Sequence, residues 1–441
     1  MTYNLRRTGD QRVRAPRRLL TVGTLMVALA LAAAGPSVGV PSASAATSNP
    51  SQAAAIATIV RKAMTTYQLR AVIVRVTQGN KVITTQAFGD SMDGAPATTD
   101  MHFRQGAVAF EYVSTLLMEY VDEHKVTLNE TIDHWLPGLP ESNQVTLKML
   151  ANQTTGYPDF ETDPGWTAAF NTNPFQIFTY QQRIAYAFDR PVQFPPGTNW
   201  SYAHTNFMIL GKILSMVGKA PLNVLLQKMV LGPMGLTQTA GYRTSFIPSP
   251  VLHSQSSERR VQLGIPNGSP FFEDSTYFNA AWGTPDGAAE TSNIDDMATT
   301  AVAVGTGKLL SKSSFHAMTD PNLLGFGQKQ ANCVPSCFTQ VPGYNFGLGV
   351  VRSGSWTMQN PLLGGYSATE AYQPNQKIAI AVVVTFKPGA FDCSGVEQNT
   401  SDTVFRLIAD SVAPNNAPPT PSAASTAPPT GCSPQTADAA S

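Results

Sequence analysis

Tyr202 and His204 close the segment Pro196-Gly-Thr-Asn-Trp-Ser-Tyr202-Ala-His204 and are the pair in this sequence best suited to moving protons. A phenol can pass a proton between a nucleophile and a leaving group, and an imidazole titrates near neutral pH. The same two residues also suit a quieter role as an aromatic pocket wall with a histidine bonded to backbone, and both readings stay open. A relay needs a nucleophile to serve. A serine and a lysine three apart on a helix share a face, which is one arrangement that lets the lysine take the serine proton. None of the twelve lysines has a serine three residues before it. Where Phe103-Arg-Gln-Gly106 runs into an apolar helix, the residues at that spacing are Ala107 and Phe110, which carry no acid-base group. Glu111, beside them, reads as a solvated helix glutamate.

The elements that would hold these residues follow from periodicity. Apolar residues Ile56, Ile59, Val60 and Met64 put one face on a helix over Ser51–Tyr67. Ala71–Thr77 and Lys81–Phe88 are β-rich and joined by Gly79-Asn80, a hairpin signal. The helix after Gly106 stops near Glu123-His124-Lys125, and Leu128–Pro137 reads as a short helix ended by proline. The middle, about 140 to 290, is loop-rich and aromatic, with helices predicted at Thr205–Val217 and Pro221–Leu231. Another is predicted over Ser292–Thr306, with Ser292 as its N-cap. Strands return at Phe346–Val351, Ser355–Met358, Tyr366–Tyr372 and Lys377–Phe386, the last an unbroken apolar run suited to a central strand. Ser401–Val412 is an amphipathic helix, and Ala413–Ser441, rich in proline, alanine, serine and threonine, is expected to be disordered except at Cys432. Strands from both ends around a helical insertion imply one largely antiparallel sheet.

The whole-chain balance sets limits. Of the 29 basic and 29 acidic residues, six arginines and one aspartate lie in residues 1–45, leaving 23 against 28, a net of −5. No segment is basic enough for a nucleic-acid partner. Residues 1–45 read as an export signal peptide: an arginine-rich stretch, the apolar run Leu19–Ala34, and Ala43-Ser44-Ala45 before a cleavage point at Ala46. The run is short for a membrane span, so no span is expected after its removal, and Arg17-Arg18 hints at twin-arginine export. Cys333, Cys337, Cys393 and Cys432 are an even set in an exported chain, which reads as two disulfides with three connectivities. Cys333 with Cys337 and Cys393 with Cys432 is the favoured pairing. A zinc site is the alternative, but no histidine lies near in sequence, and no metal or organic cofactor is expected.

Several runs carry a family resemblance. Phe103-Arg-Gln-Gly-Ala107-Val-Ala-Phe110 resembles the Phe-Arg-x-Gly-Ser-Val-x-Lys opening of the active-site helix in the serine β-lactamase and D-alanyl-D-alanine carboxypeptidase family, whose members include penicillin-binding proteins. Glu119–Ile132 is similar to the end of that helix and the turn after it. Asn152-Gln-Thr-Thr-Gly-Tyr-Pro-Asp159 looks like the family's Asn-Gln-Thr-Ser-Gly-x-Pro-Asp, and the segment ending at His204 like Pro-Gly-x-x-Trp-x-Tyr-x-Asn. Gly365-Tyr366-Ser367 fits the final hairpin, placing Gln359-Asn360-Pro361 at the third motif, His-x-Gly or Lys-Thr-Gly. Five matches in order over about 50–412 are specific.

The resemblance implies an α/β (α+β) fold of the β-lactamase/transpeptidase-like, two-lobed type. An antiparallel sheet flanked by helices (about 50–100 and 290–412) would stand beside an all-helical lobe (about 101–290), with a pocket between. It implies β-lactams, D-Ala-D-Ala peptides or small esters as the substrate class. It also implies a degenerate site: Ala107 for the serine, Phe110 for the lysine, His204 for an asparagine, and Gln359 where a cation stood. Phe110 would enter the pocket and make it more apolar, with Tyr202, His204, Asn152 and Gly364 around it. The expectation is an exported pseudoenzyme that binds a small-molecule or cell-wall peptide ligand without serine acyl transfer. Two alternatives stay open: an active carboxypeptidase, β-lactamase or esterase using Tyr202 and His204, and a structural envelope scaffold acting through its tail.

Overall fold

The computed structural model describes residues 50–279, 283–320, 323–333, 336–421, 429, 431 and 432. The expected signal peptide and most of the 422–441 tail lie outside them. A nine-stranded antiparallel sheet is built from the two ends of the chain. Leu69–Gln78 and Lys81–Met92 form the hairpin, turning through Gly79 at φ +56°, a backbone shape that glycine adopts without a Cβ penalty. Leu69–Gln78 then pairs with Ile378–Phe386, which pairs with Tyr366–Gln373, followed outward by Trp356–Gln359, Val351–Ser353 and Asn345–Phe346.

Ile378–Phe386 is buried at every position because both faces of the sheet are covered. Alternate residues serve alternate layers. Ile380, Val382 and Val384 join Val72 and Val74 against Ile56, Val60, Phe405 and Ile408, from the helices Pro50–Thr66 and Thr400–Val412. Ala381 and Val383 face Ile294, Met297 and Ala298 of the helix Ile294–Gly305. Burying a Val or Ile side chain contributes roughly 1.5–3 kcal/mol, so an unbroken apolar run is what this two-sided position selects.

The insertion leaves the sheet region at His102–Arg104 and returns at Thr291–Asn293, and these two strands pair with each other. Its first element, Val108–Asp122, is the buried core helix. His204–Gly218 is the second long helix, with Asn152 closing a shorter one, Leu147–Asn152. A satellite core of Phe160, Trp166, Phe170, Phe178 and Phe278 stabilises the aromatic middle. Among the described residues no single helix is long and apolar enough to cross a membrane.

Several local expectations change. Phe346–Val351 is not one strand but the turn between Asn345–Phe346 and Val351–Ser353, which pair with each other. The Ile294–Gly305 helix is capped by Asn293, whose side chain accepts from Asp296 N at 2.9 Å, while Ser292 belongs to the strand before it. Leu128–Pro137 yields only a 3₁₀ turn, Ile132–His134, because Thr131 is drawn into a bridge with Thr146. Residues 413–421 are tethered rather than free, though mostly exposed: Asn416 O accepts from Trp356 Nε1, and Pro419 O from Arg406 Nη1 at 2.6 Å. Glu111 is fully buried, not solvated. The cysteines are joined as Cys333–Cys337 and Cys393–Cys432, the favoured pairing.

Candidate functional site

The resemblance motifs converge on one cleft because their polar side chains bind each other. Gln153 sits at φ +67° and ends the Leu147–Asn152 helix, so its amide turns toward the Tyr202 segment. Its Oε1 accepts from Ala203 N at 3.1 Å and from Asn206 Nδ2 at 2.5 Å. Thr155 Oγ1 donates to Asn206 Oδ1, and Thr205 Oγ1 donates to Pro158 O while accepting from Phe160 N. These bonds are buried, where an unpaired polar group would cost about 1–3 kcal/mol. They fix Asp159 against His204.

The cleft they frame has a volume of about 320 Å³. Ala107 and Gly106 form part of it, Tyr202, His204 and Glu161 another, and Gln359, Asn360 and Pro361 the sheet side. Gly106 has φ +48°, and a Cβ there would come within 2.7 Å of Pro361 Cβ, so only glycine admits this close approach. Ala107 starts the core helix without any side-chain cap and presents a methyl group.

Phe110, one turn on, does not enter the cleft. It is fully buried and stacked on Phe207, with ring centroids 3.9 Å apart and planes 5° from parallel. Its ring centroid lies 6.2 Å from that of Tyr202 and 6.0 Å from that of His204. Asn152 and Gly364 also lie off the cleft lining. Asn152 pairs with the Thr154 hydroxyl at 2.7 Å, and Gly364 O accepts from Ser254 and Ser275. Gln359 lines the sheet side while its Nε2 donates to Gly349 O at 2.8 Å. Tyr202 and His204 do face the cleft.

His204 Nδ1 lies 2.9 Å from Asp159 Oδ2 and 3.2 Å from Glu161 Oε2. Burial works against its charge, but Glu161 and Asp159 outweigh that and raise its pKa to about 9. Burial pushes Glu161 well above the carboxylate range, with His204 pulling it back. Burial also lifts the Tyr202 phenol well above its ordinary value, with Tyr344, Glu161 and Asp159 adding to the rise. Tyr202 is therefore a neutral phenol, able to donate a hydrogen bond but not to act as a phenolate base.

A family model described as Beta-lactamase matches residues 56–400, well over half of the chain. The chain belongs to the Beta-lactamase family. A D-stereospecific amidohydrolase from Streptomyces sp. superposes with a TM-score of 0.66 at 20% identity, covering 82% of this chain and 99% of that one. The D-amino acid amidase from Ochrobactrum anthropi SV3, complexed with D-phenylalanine, gives 0.67 at 19% identity, covering 82% and 99%. At these identities the likeness is one of fold. Penicillin-binding protein 4 of Amycolatopsis lactamdurans is 29% identical over 152 residues, 33% of this chain and 38% of that protein. The D-aminopeptidase of Gluconobacter oxydans is 22% identical over 299 residues, 65% of this chain and 50% of the relative. The chain thus spans about two fifths to one half of the length of these relatives.

Within this family frame the cleft gains groups that sequence reasoning missed. In sequence Asp159 is only part of a motif and Glu161 belongs to none, although the two follow Pro158 two residues apart. Tyr344, Thr284 and Asn399 also line it, and the Asn399 amide donates to Asn360 O. Beneath the cleft, Glu111 meets Glu370, which pairs in register with Gln359. Both carboxyls are fully buried and close enough to act on each other. Burial raises both, and for Glu111 the charge of Glu370 raises it further.

Proposed function

We propose that this Beta-lactamase family chain is an exported, non-acylating binding protein whose cleft takes a small ligand. The observation that carries this is Ala107, a methyl at the position the resemblance assigns to the nucleophile, backed by a sealed aromatic stack where the activating lysine would stand. Losing the nucleophile of another serine hydrolase costs on the order of 10⁶ in kcat. The arginine-rich leader and the paired cysteines support export. The ligand class is a D-amino-acid derivative or cell-wall peptide, on the strength of D-amino acid amidase and penicillin-binding relatives.

The test is intact-protein mass after incubation with a penicillin and an activated ester, with ligand-observed NMR against D-alanyl peptides. Binding without an adduct supports the proposal; a stoichiometric adduct on the natural chain overturns it. A second reading rests on the Asp159–His204 contact, which orients the imidazole to activate water once pH rises past its raised pKa of about 9. It requires ester turnover that disappears in His204→Ala, and turnover that survives that change removes it.

A further inference from the structure

We propose that Asp159, Glu161 and His204 form a binding site for one divalent transition-metal cation of the zinc class. The three donor atoms all lie within 4.8 Å of one another. A cation with bonds of about 2.1 Å holds neighbouring donors about 3.0 Å apart in an octahedron and about 3.4 Å apart in a tetrahedron. The contacts of His204 Nδ1 with the two carboxylates, at 2.9 and 3.2 Å, already match those edges.

The donor types narrow the ion. One imidazole and two carboxylates suit Zn²⁺, Co²⁺ or Mn²⁺, whereas Ca²⁺ takes six to eight oxygens. Two carboxylates also balance a double positive charge at a largely buried place. The family resemblance puts asparagine where this chain has His204, so the nitrogen donor belongs to this chain's own departure from the pattern.

Two observations outside that triangle point to an occupant. Glu161 Oε1 is buried with no hydrogen-bond partner. Thr284, 3% exposed and on the wall of the same cleft, has an unpartnered hydroxyl as well. Buried polar atoms are ordinarily satisfied, and two orphans beside one cluster mark a place for a bound ion and its water. Gly283 keeps that side open: a Cβ there would lie 3.2 Å from Glu161 Oε1 and 3.9 Å from His204 Nε2. With three protein donors, at least one coordination position faces the cleft, free for water or a ligand oxygen.

The experiment uses the full chain without an affinity tag, stripped with chelator. Zn²⁺ is titrated by calorimetry and Co²⁺ by visible absorption. The expected result is one ion per chain and a Co²⁺ d–d band. Glu161→Gln and His204→Asn, each checked for folding by circular dichroism, should weaken uptake by at least about tenfold and remove the band. His316→Ala, at an exposed histidine remote from the cleft, should leave both unchanged. Should one variant fail to fold, the other carries the same comparison. Absence of one-to-one uptake by the natural chain, or uptake unchanged in the folded variants, overturns the proposal.

Discussion

Replacing Phe110 by alanine tests whether the lysine position of the family has become structural. The ring is fully buried, lies flat on Phe207 at 3.9 Å, and has the Tyr202 and His204 rings 6.2 and 6.0 Å away. Truncation removes the whole ring from a packed site and leaves a cavity bounded by three other rings. A Phe→Ala change of this kind costs about 3–5 kcal/mol. Of that, about 0.5–1.5 kcal/mol belongs to the ring pair beyond its buried area. Urea denaturation of Phe110→Ala, Phe207→Ala and the double variant separates the two parts through the coupling energy. The double variant should lose less than the sum of the singles by that stacking amount. A single-variant cost below about 1 kcal/mol, or a coupling indistinguishable from zero, would refute the claim that Phe110 is core.

Ala107→Ser alone should change stability by less than about 0.5 kcal/mol and give no penicillin adduct by mass spectrometry, because Phe110 still stands where the resemblance puts the activating lysine. Arg406→Ala should cost about 3–5 kcal/mol, since Arg406 pairs with buried Asp402 at 2.8 Å and holds Pro419 O; limited proteolysis should then cut near Pro419. Glu111 and Glu370 give a pH dependence of defined sign. Their folded pKa values are raised, with Tyr112, itself kept neutral by burial, as a titratable neighbour. Their stability contribution is therefore complete below the ordinary carboxylate range and lost as pH rises through the raised folded values. Glu370→Gln should flatten that decline in denaturation curves taken from pH 4 to 9, and an unchanged slope would count against a proton-sharing pair.

The fold was largely legible because its signals are local. Gly79-Asn80 marks a hairpin by turn chemistry, and Ile378–Val384 marks a central strand by composition. The cleft was legible only through its motifs. Glu111 looks solvated in sequence since the carboxyl that meets it, Glu370, arrives on a strand from the far end of the chain. Phe110 was expected in the pocket because its position was known and its direction was not; Phe207 decides that direction by offering a parallel ring. Asn293 displaced Ser292 as the cap because Ser292 was taken by strand pairing with Phe103. Residues 413–421 have a disordered composition, yet Arg406 and Trp356 bind their backbone carbonyls, which composition does not report.

The sheet that joins both ends of the chain also sets the order of events during synthesis. Val72 pairs with Val384, so roughly three hundred residues must be made before the first strand meets its partner. Until then the hairpin presents an open, apolar edge, which is a template for wrong pairing. A chain stopped before Ile378 would keep every helix of the insertion and still lack its central strand. Folding here is a late, non-local closure and therefore slow, and Ile378–Phe386 must be made before the sheet side of the cleft can form.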